Sequence, residues 1–280
     1  MRIGSRVFAG PGPFVMGIVN ATPDSFSDGG RFLAADDAVA QAERLVAEGA
    51  DLVDVGGEST RPGAPEVPVD EELRRVLPVI ERLRGRGCAV PISIDTRRAE
   101  VARAALAAGA ELVNDVSALA DPGMAEAVAA SGAACVLMHM RGTPADMSAR
   151  AVYADVVGEV AHELAEALGR AVRQGVPEGR ILLDPGIGFA KTAEQSLEVL
   201  ASLQRLRRLG RPLVVGPSRK SFIGKVAGAE VGERLPGTLA AVAACVLAGV
   251  EFVRVHDVGP ARQAALVAAA IRDTRSREPR

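Results

Sequence analysis

Eight short apolar runs recur along this chain, and each is followed by a stretch with helical spacing. The runs are FVMGIV (14–19), LVDVG (52–56), PISI (91–94), ELVN (111–114), ACVLM (134–138), ILL (181–183), PLVVG (212–216) and FVRV (252–255). The helical stretches fall near 36–48, 70–85, 98–108, 122–131, 154–174, 194–208, 237–249 and 260–273. Runs that are apolar throughout, instead of alternating, suit strands covered on both faces, as in a parallel sheet wrapped by helices. Repeated β-then-α units close into a (β/α)8 barrel or wind into an open doubly wound sheet. Eight units within 280 residues fit the closed barrel better, although periodicity alone does not show closure. No linker or shift of composition divides the chain. It reads as one domain, with a core at about 14–273, a peripheral N-terminal segment and a solvated basic tail from Arg272. Local start signals agree with this division. Asp121-Pro122 reads as an N-cap followed by proline at the first helical position, and Asp95 or Thr96 can cap the third helix.

Composition excludes several classes of function. A formal charge of −2 argues against a broad nucleic-acid or membrane-surface partner, while leaving room for a local basic pocket. The longest apolar run, Leu239–Val250, is 12 residues, too short to span a bilayer, and the first 14 residues hold no apolar signal core. Cys88, Cys135 and Cys245 are far apart and show neither metal spacing nor a disulfide framework, so a cytoplasmic location is expected. One bias is informative. Of 33 basic residues, only Lys191, Lys220 and Lys225 are lysine, and a lysine kept in an arginine-using chain suggests a need for a compact ammonium.

In a (β/α)8 barrel the chemistry sits at the C-terminal ends of the strands. Here those ends carry Asn20, Asp54, Asp95, Asn114, Met138-His139, Asp184, Ser218-Arg219-Lys220, Arg254 and His256. Any one Asp or Asn could simply cap the next helix; eight polar ends converging on one mouth point to a site. They divide into two chemistries. Asp95, Asn114, Asp184 and Lys220 offer carboxylates, an amide and an ammonium. Such a set suits a planar heterocycle with an amino-pyrimidinone edge, whose ring N–H and exocyclic amine point the same way. Asn20, Arg254 and His256 suit an anion, with the Asn carbonyl able to hold a magnesium ion or its waters.

Other motifs do not hold. GIGFAK (186–191) lacks the last glycine of a dinucleotide fingerprint, GPSRKS lacks Walker A spacing, and His162-Glu163 has no second histidine for a zinc helix. His162 then reads as an exposed helix residue, Lys191 as a surface charge or ion-pair partner, and Lys225 as part of a short helix after the seventh strand. Arg219 reads as loop support and Ser218 as a loop or helix-cap residue.

Together, MGIVNATPDSFSDGG (16–30), DVGGESTRPGA (54–64), SIDT (93–96), NDVS (114–117), LMHMRGTP (137–144), LDPGIGFAK (183–191), GPSRKSFIG (216–224) and RVHDV (254–258) resemble the dihydropteroate synthase family, over about residues 14–270. The resemblance implies condensation of dihydropterin pyrophosphate with p-aminobenzoate, magnesium as cofactor, small-molecule partners only and a homodimer. It implies a pterin site at Asp95, Asn114, Met138, Asp184 and Lys220. It implies a p-aminobenzoate pocket at Thr60, Arg61, Pro62, Phe189, Lys220 and Ser221. Pyrophosphate would meet Asn20, Thr60, Arg61, Arg254 and His256, with the metal at Asn20, and the catalytic group would be Asp95, Asp184, Lys220, Arg254 and His256. The stretches 21–33 and 57–68 correspond to the family's two mobile loops, with Gly29-Gly30 and Gly56-Gly57 as hinges. Two other readings remain open: a methyltetrahydrofolate–corrinoid methyltransferase, which would not need the Thr60-Arg61-Pro62 loop, and a non-catalytic pterin-binding homologue.

Overall fold

The computed structural model describes residues 1–21, 31–60 and 63–275. The eight apolar runs form eight parallel strands: β3 (Phe14–Asn20), β4 (Leu52–Gly56), β5 (Ile92–Asp95), β6 (Leu112–Asp115), β7 (Ala134–Met138), β8 (Ile181–Asp184), β9 (Val214–Val215) and β10 (Phe252–Val255). They follow one another around the sheet in the order β8-β7-β6-β5-β4-β3-β10-β9. A parallel bridge between Leu183 and Leu213 joins the last strand to the first, and the Leu183 N–H donates to the Pro212 carbonyl at 3.0 Å. The sheet therefore closes, and the fold is a (β/α)8 barrel.

The helices sit on the outside for a reason visible in their spacing. In α2 (Val69–Gly85) the buried residues Val76, Val79, Ile80 and Leu83 share one face, with Asp70, Glu71 and Glu72 in the first turn and Arg82 and Arg84 in the last. That charge order matches the helix dipole. In α5 (Val156–Arg173) the Asp155 side chain caps the helix by accepting from the Gly158 N–H at 2.9 Å. The third helix, α3 (Ala99–Ala107), is capped differently from expectation. Asp121 does not cap the helix that follows it, α4 (Met124–Ser131). Its carboxylate instead accepts from the Ala99 N–H at 2.6 Å, across to the start of α3, while Thr96 accepts from the Arg98 N–H at 3.2 Å.

Strand residues alternate between two cores. Val15, Val19, Val53, Val55, Ile92, Ile94, Val113, Leu137, Leu183 and Val253 face the helices, whereas Met16, Leu52, Leu112, Val136, Leu182, Val214 and Phe252 fill the barrel interior. The N-terminal segment, expected to be peripheral, belongs to this interior core. A two-stranded hairpin, β1 (Arg2–Ile3) and β2 (Arg6–Val7), brings Ile3 and Phe8 under the barrel, and the Phe8, Phe14 and Phe252 rings pack with centroids 5.0–5.2 Å apart. The barrel needs this floor because its interior is a packed core open at both ends. Arg272 departs from a solvated tail as well. It lies within the last helix, α10 (Val258–Arg275), and donates to the Pro11, Gly12 and Val246 carbonyls at 3.3–3.4 Å.

Candidate active site

A two-residue period carries the interior face of each strand from the apolar floor to a polar rim. Leu52 leads to Asp54, Leu112 to Asn114, Val136 to Met138, Leu182 to Asp184 and Phe252 to Arg254. The strand register then sets rim residues side by side: Asn20 opposite Gly56, Gly56 opposite Asp95, and Asp95 opposite Asn114. Gly56 leaves room in that row, since a Cβ there would lie 3.4 Å from the Asp95 Cβ.

Arg254 organises the floor of the mouth. Its Nε donates to Asp54 and its Nη2 to Asp95, each at 2.6 Å, while the Asn114 amide donates to the same Asp54 oxygen at 2.9 Å. Asp54 is fully buried; the sequence set it among the polar strand ends but assigned it to neither chemistry, although a carboxylate inside the apolar run LVDVG is its signature. Two carboxylates thus share one guanidinium, and the electrostatics follow. Burial, with Asp54 close by, pushes Asp95 up to about 7, against the opposing pull of Arg254. Burial would pull Arg254 down, but Asp54 and Asp95 outweigh it and hold it above the ordinary arginine range.

Across the mouth, Asp184 ends β8 and Lys220 precedes α8 (Ser221–Ala227). Burial raises Asp184 and the charge of Lys220 works against that rise, while burial lowers Lys220 to about 8 against the pull of Asp184. Lys220 Nζ donates to the Ile187 carbonyl and sits 4.4 Å from the centre of the Phe189 ring. Met138 is buried opposite Asp184 in register. Ser221 is exposed beside Lys220, and Asn20 and Thr60 are half-buried. Arg61 and Pro62 lie outside the described residues, as do residues 22–30 with Gly29-Gly30.

Three expectations change. Gly56 and Gly57 are buried in packing instead of forming an open hinge, for a Cβ on Gly57 would come within 2.8 Å of Val76 Cγ1. Glu58 and Val67 are tied together beside them: Glu58 accepts from the Val67 N–H at 3.0 Å, and Arg98 bonds both Glu58, at 3.0 Å, and the Val67 carbonyl, at 2.6 Å. Ser218 is more than a loop residue. Its hydroxyl lies 2.9 Å from His256 Nδ1 and accepts from the His256 N–H at 3.3 Å. A neutral ring that takes the hydroxyl proton as acceptor at Nδ1 carries its own N–H on Nε2. Finally, Lys191 is buried, not a surface charge. Arg219 supports its loop as expected. It is held at φ 58° by Asp257 at 2.7 Å and by the Thr238 hydroxyl, which accepts from its backbone N–H at 3.0 Å.

A closed parallel barrel whose rim combines buried carboxylates and an amide with an arginine–histidine corner is the architecture of a pterin-binding barrel enzyme. The pterin binding enzyme family matches residues 16–256. A dihydropteroate synthase from Synechocystis sp. is 48% identical over 274 residues, covering 97% of this chain and 94% of that protein. Two solved structures of the Xanthomonas albilineans dihydropteroate synthase superpose closely. The one with 4-aminobenzoic acid gives a TM-score of 0.88 at 49% identity, covering 93% of each chain. The one in complex with 7,8-dihydropteroate gives 0.85 at 46% identity, covering 93% of this chain and 94% of that one. The chain belongs to the dihydropteroate synthase family.

Proposed function

We propose that this chain joins dihydropterin pyrophosphate to p-aminobenzoate, giving 7,8-dihydropteroate and pyrophosphate. The observation that carries the reading is the row Asp95–Asn114 at the barrel rim, fixed from below by Asp54 and Arg254 and faced by Asp184 and Lys220. A carboxylate accepts two parallel N–H bonds and an amide both donates and accepts, which matches the amino-pyrimidinone edge of a pterin. Met138 packs beside the ring. The 4-aminobenzoic acid and 7,8-dihydropteroate held by the Xanthomonas albilineans enzyme support the same substrates here.

In the reaction the bond between the pterin methylene carbon and the pyrophosphate oxygen breaks, and both its electrons leave with pyrophosphate. The arylamine nitrogen then bonds the carbon and sheds a proton. Asp95 and Asp184 surround the pterin with negative charge that favours the cation formed in between. Arg254 and the Nε2–H of His256 face the charge growing on pyrophosphate. Donors of this kind, preorganised in a dry site, are worth roughly 2.7–4 kcal/mol each. Phe189, Lys220 and Ser221, with Thr60, Arg61 and Pro62, take p-aminobenzoate, and Thr60 and Arg61 add to the pyrophosphate corner.

Asn20 offers magnesium a single amide oxygen, and among the described residues no three His, Cys, Asp or Glu side chains gather as a metal site. That donor set fits an ion borne mainly by pyrophosphate oxygens and water, as magnesium prefers. When bound, the ion would neutralise charge on the departing pyrophosphate. We place the enzyme in the cytoplasm as a homodimer, with Leu266, Val267 and Ile271 exposed on α10 as its contact. Among the described residues no helix is long and apolar enough to cross a membrane.

The division of labour is tested by two variants. Asp184→Ala should lose pterin binding, measured by calorimetry. His256→Ala should keep it and lose about 100-fold in kcat. Equal loss of pterin affinity in both variants would overturn the assignment.

A further inference from the structure

Lys191 is a buried ammonium for which the mechanism has no use. It is 8% exposed, and Nζ meets three acceptors: His139 Nδ1 at 2.9 Å and the Gly186 and Phe189 carbonyls, both at 3.1 Å. An ammonium has three N–H donors, so the set is filled. His139 accepts at Nδ1, which leaves its proton on Nε2 to donate to Glu163 at 2.9 Å. Burial, helped by Lys191, pulls His139 down to about 4, so the ring stays neutral at physiological pH. Burial likewise pulls Lys191 down to about 7.

The contacts continue outward and then return. Glu163 accepts from Arg141 Nε at 3.0 Å and from its Nη2. The Arg141 guanidinium lies 4.0 Å from the centre of the Tyr153 ring, and the Tyr153 hydroxyl donates to the Ala190 carbonyl at 2.9 Å. The ring of groups therefore starts at one end of the segment Gly186–Ala190 and closes at the other. That segment belongs to no helix or strand, and three of its residues are left-handed: Gly186 at φ 66°, Gly188 at 77° and Ala190 at 46°. Without an external frame, such a turn has little to fix it. It presents the Phe189 ring and the Ile187 carbonyl, the two groups against which Lys220 is held.

We propose that Lys191, at the centre of this ring, is a positioning residue for the acceptor-amine subsite, acting through Phe189. The proposal rests on the reading above that Phe189 lines the p-aminobenzoate pocket. It also accounts for a lysine in a chain with 30 arginines. A planar guanidinium cannot aim three donors at a tetrahedral set of acceptors inside so small a cradle.

The test compares the wild type with Lys191→Met, Lys191→Arg and Tyr153→Phe. Calorimetry gives the affinity for dihydropterin pyrophosphate, and steady-state kinetics give kcat and the KM for p-aminobenzoate. Lys191→Met should raise that KM about tenfold with pterin affinity within about twofold, a split that general damage to the barrel would not produce. Lys191→Arg should fail to restore it. Tyr153→Phe removes one hydroxyl at the far side of the ring and should raise the same KM about threefold, again without touching pterin affinity. It decides the matter if Lys191→Met does not fold. An unchanged KM in Tyr153→Phe, or parallel losses of pterin and p-aminobenzoate affinity, overturns the proposal. A wild type that forms no dihydropteroate refutes the functional reading instead, and binding of p-aminobenzoate to the wild type and variants then still reports on Lys191.

Discussion

Asp95→Asn should make this protein more stable while disabling its pterin site. Asp95 sits on the barrel rim with Arg254 at 2.6 Å, and burial with Asp54 nearby pushes its carboxyl from an ordinary 3.8 up to about 7. The sign follows from proton binding. Between about pH 4 and pH 7 the folded protein keeps on Asp95 a proton that the unfolded chain has released, so the contribution of Asp95 to stability falls as pH rises through that window. A shift of about three pH units at about 1.4 kcal/mol each sets the scale, on the order of 4 kcal/mol at pH 8. Asparagine keeps the size and carries no charge to bury. Part of the gain is lost because Arg254 then keeps only Asp54 as an ionic partner, so about 2–4 kcal/mol is expected. Urea unfolding at pH 4, 6 and 8 measures it. The variant and wild type should coincide near pH 4 and diverge by pH 8, while calorimetry finds pterin affinity lost. A difference between variant and wild type that does not grow from pH 4 to pH 8, or a variant no more stable at pH 8, would refute the reasoning.

Two further outcomes are expected. Ile3→Ala empties part of the barrel floor and should cost about 2–5 kcal/mol in urea unfolding with KM values unchanged; a cost under about 0.5 kcal/mol would contradict the hairpin's packing role. Ser218→Ala removes the hydroxyl beside His256 Nδ1 and should lower kcat about tenfold while pterin affinity holds, as measured by steady-state kinetics and calorimetry; an unchanged kcat would remove Ser218 from the mechanism.

The barrel was readable from the sequence because strands covered on both faces are apolar throughout, and each ended on a polar residue aimed at one mouth. Closure was not readable. It depends on a two-residue strand, Val214–Val215, and one bridge at Leu213 that no periodicity announces. The N-terminal hairpin escaped for the same reason, since strands of two residues carry no pattern. Asp121 looked like a cap for its own helix and caps a neighbour, a contact that only the packing of α3 against α4 creates. Asp95, Asn114 and Arg254 were assigned roles, whereas Asp54 was seen only as a polar strand end, because its role depends on the fold bringing it under Arg254. Lys191 was misread because its acceptors come from a left-handed turn and from His139 on another strand end. The scarcity of lysine was the one sign that it had a place.

The measurement that bears most directly on the account follows pyrophosphate and dihydropteroate together in one reaction, from dihydropterin pyrophosphate with magnesium, with and without p-aminobenzoate. The account predicts that the two products appear in equal amounts and that dihydropteroate requires p-aminobenzoate. Pterin binding without any dihydropteroate would contradict it, and would leave the rim of Asp95, Asn114 and Asp184 as a binding site without this chemistry.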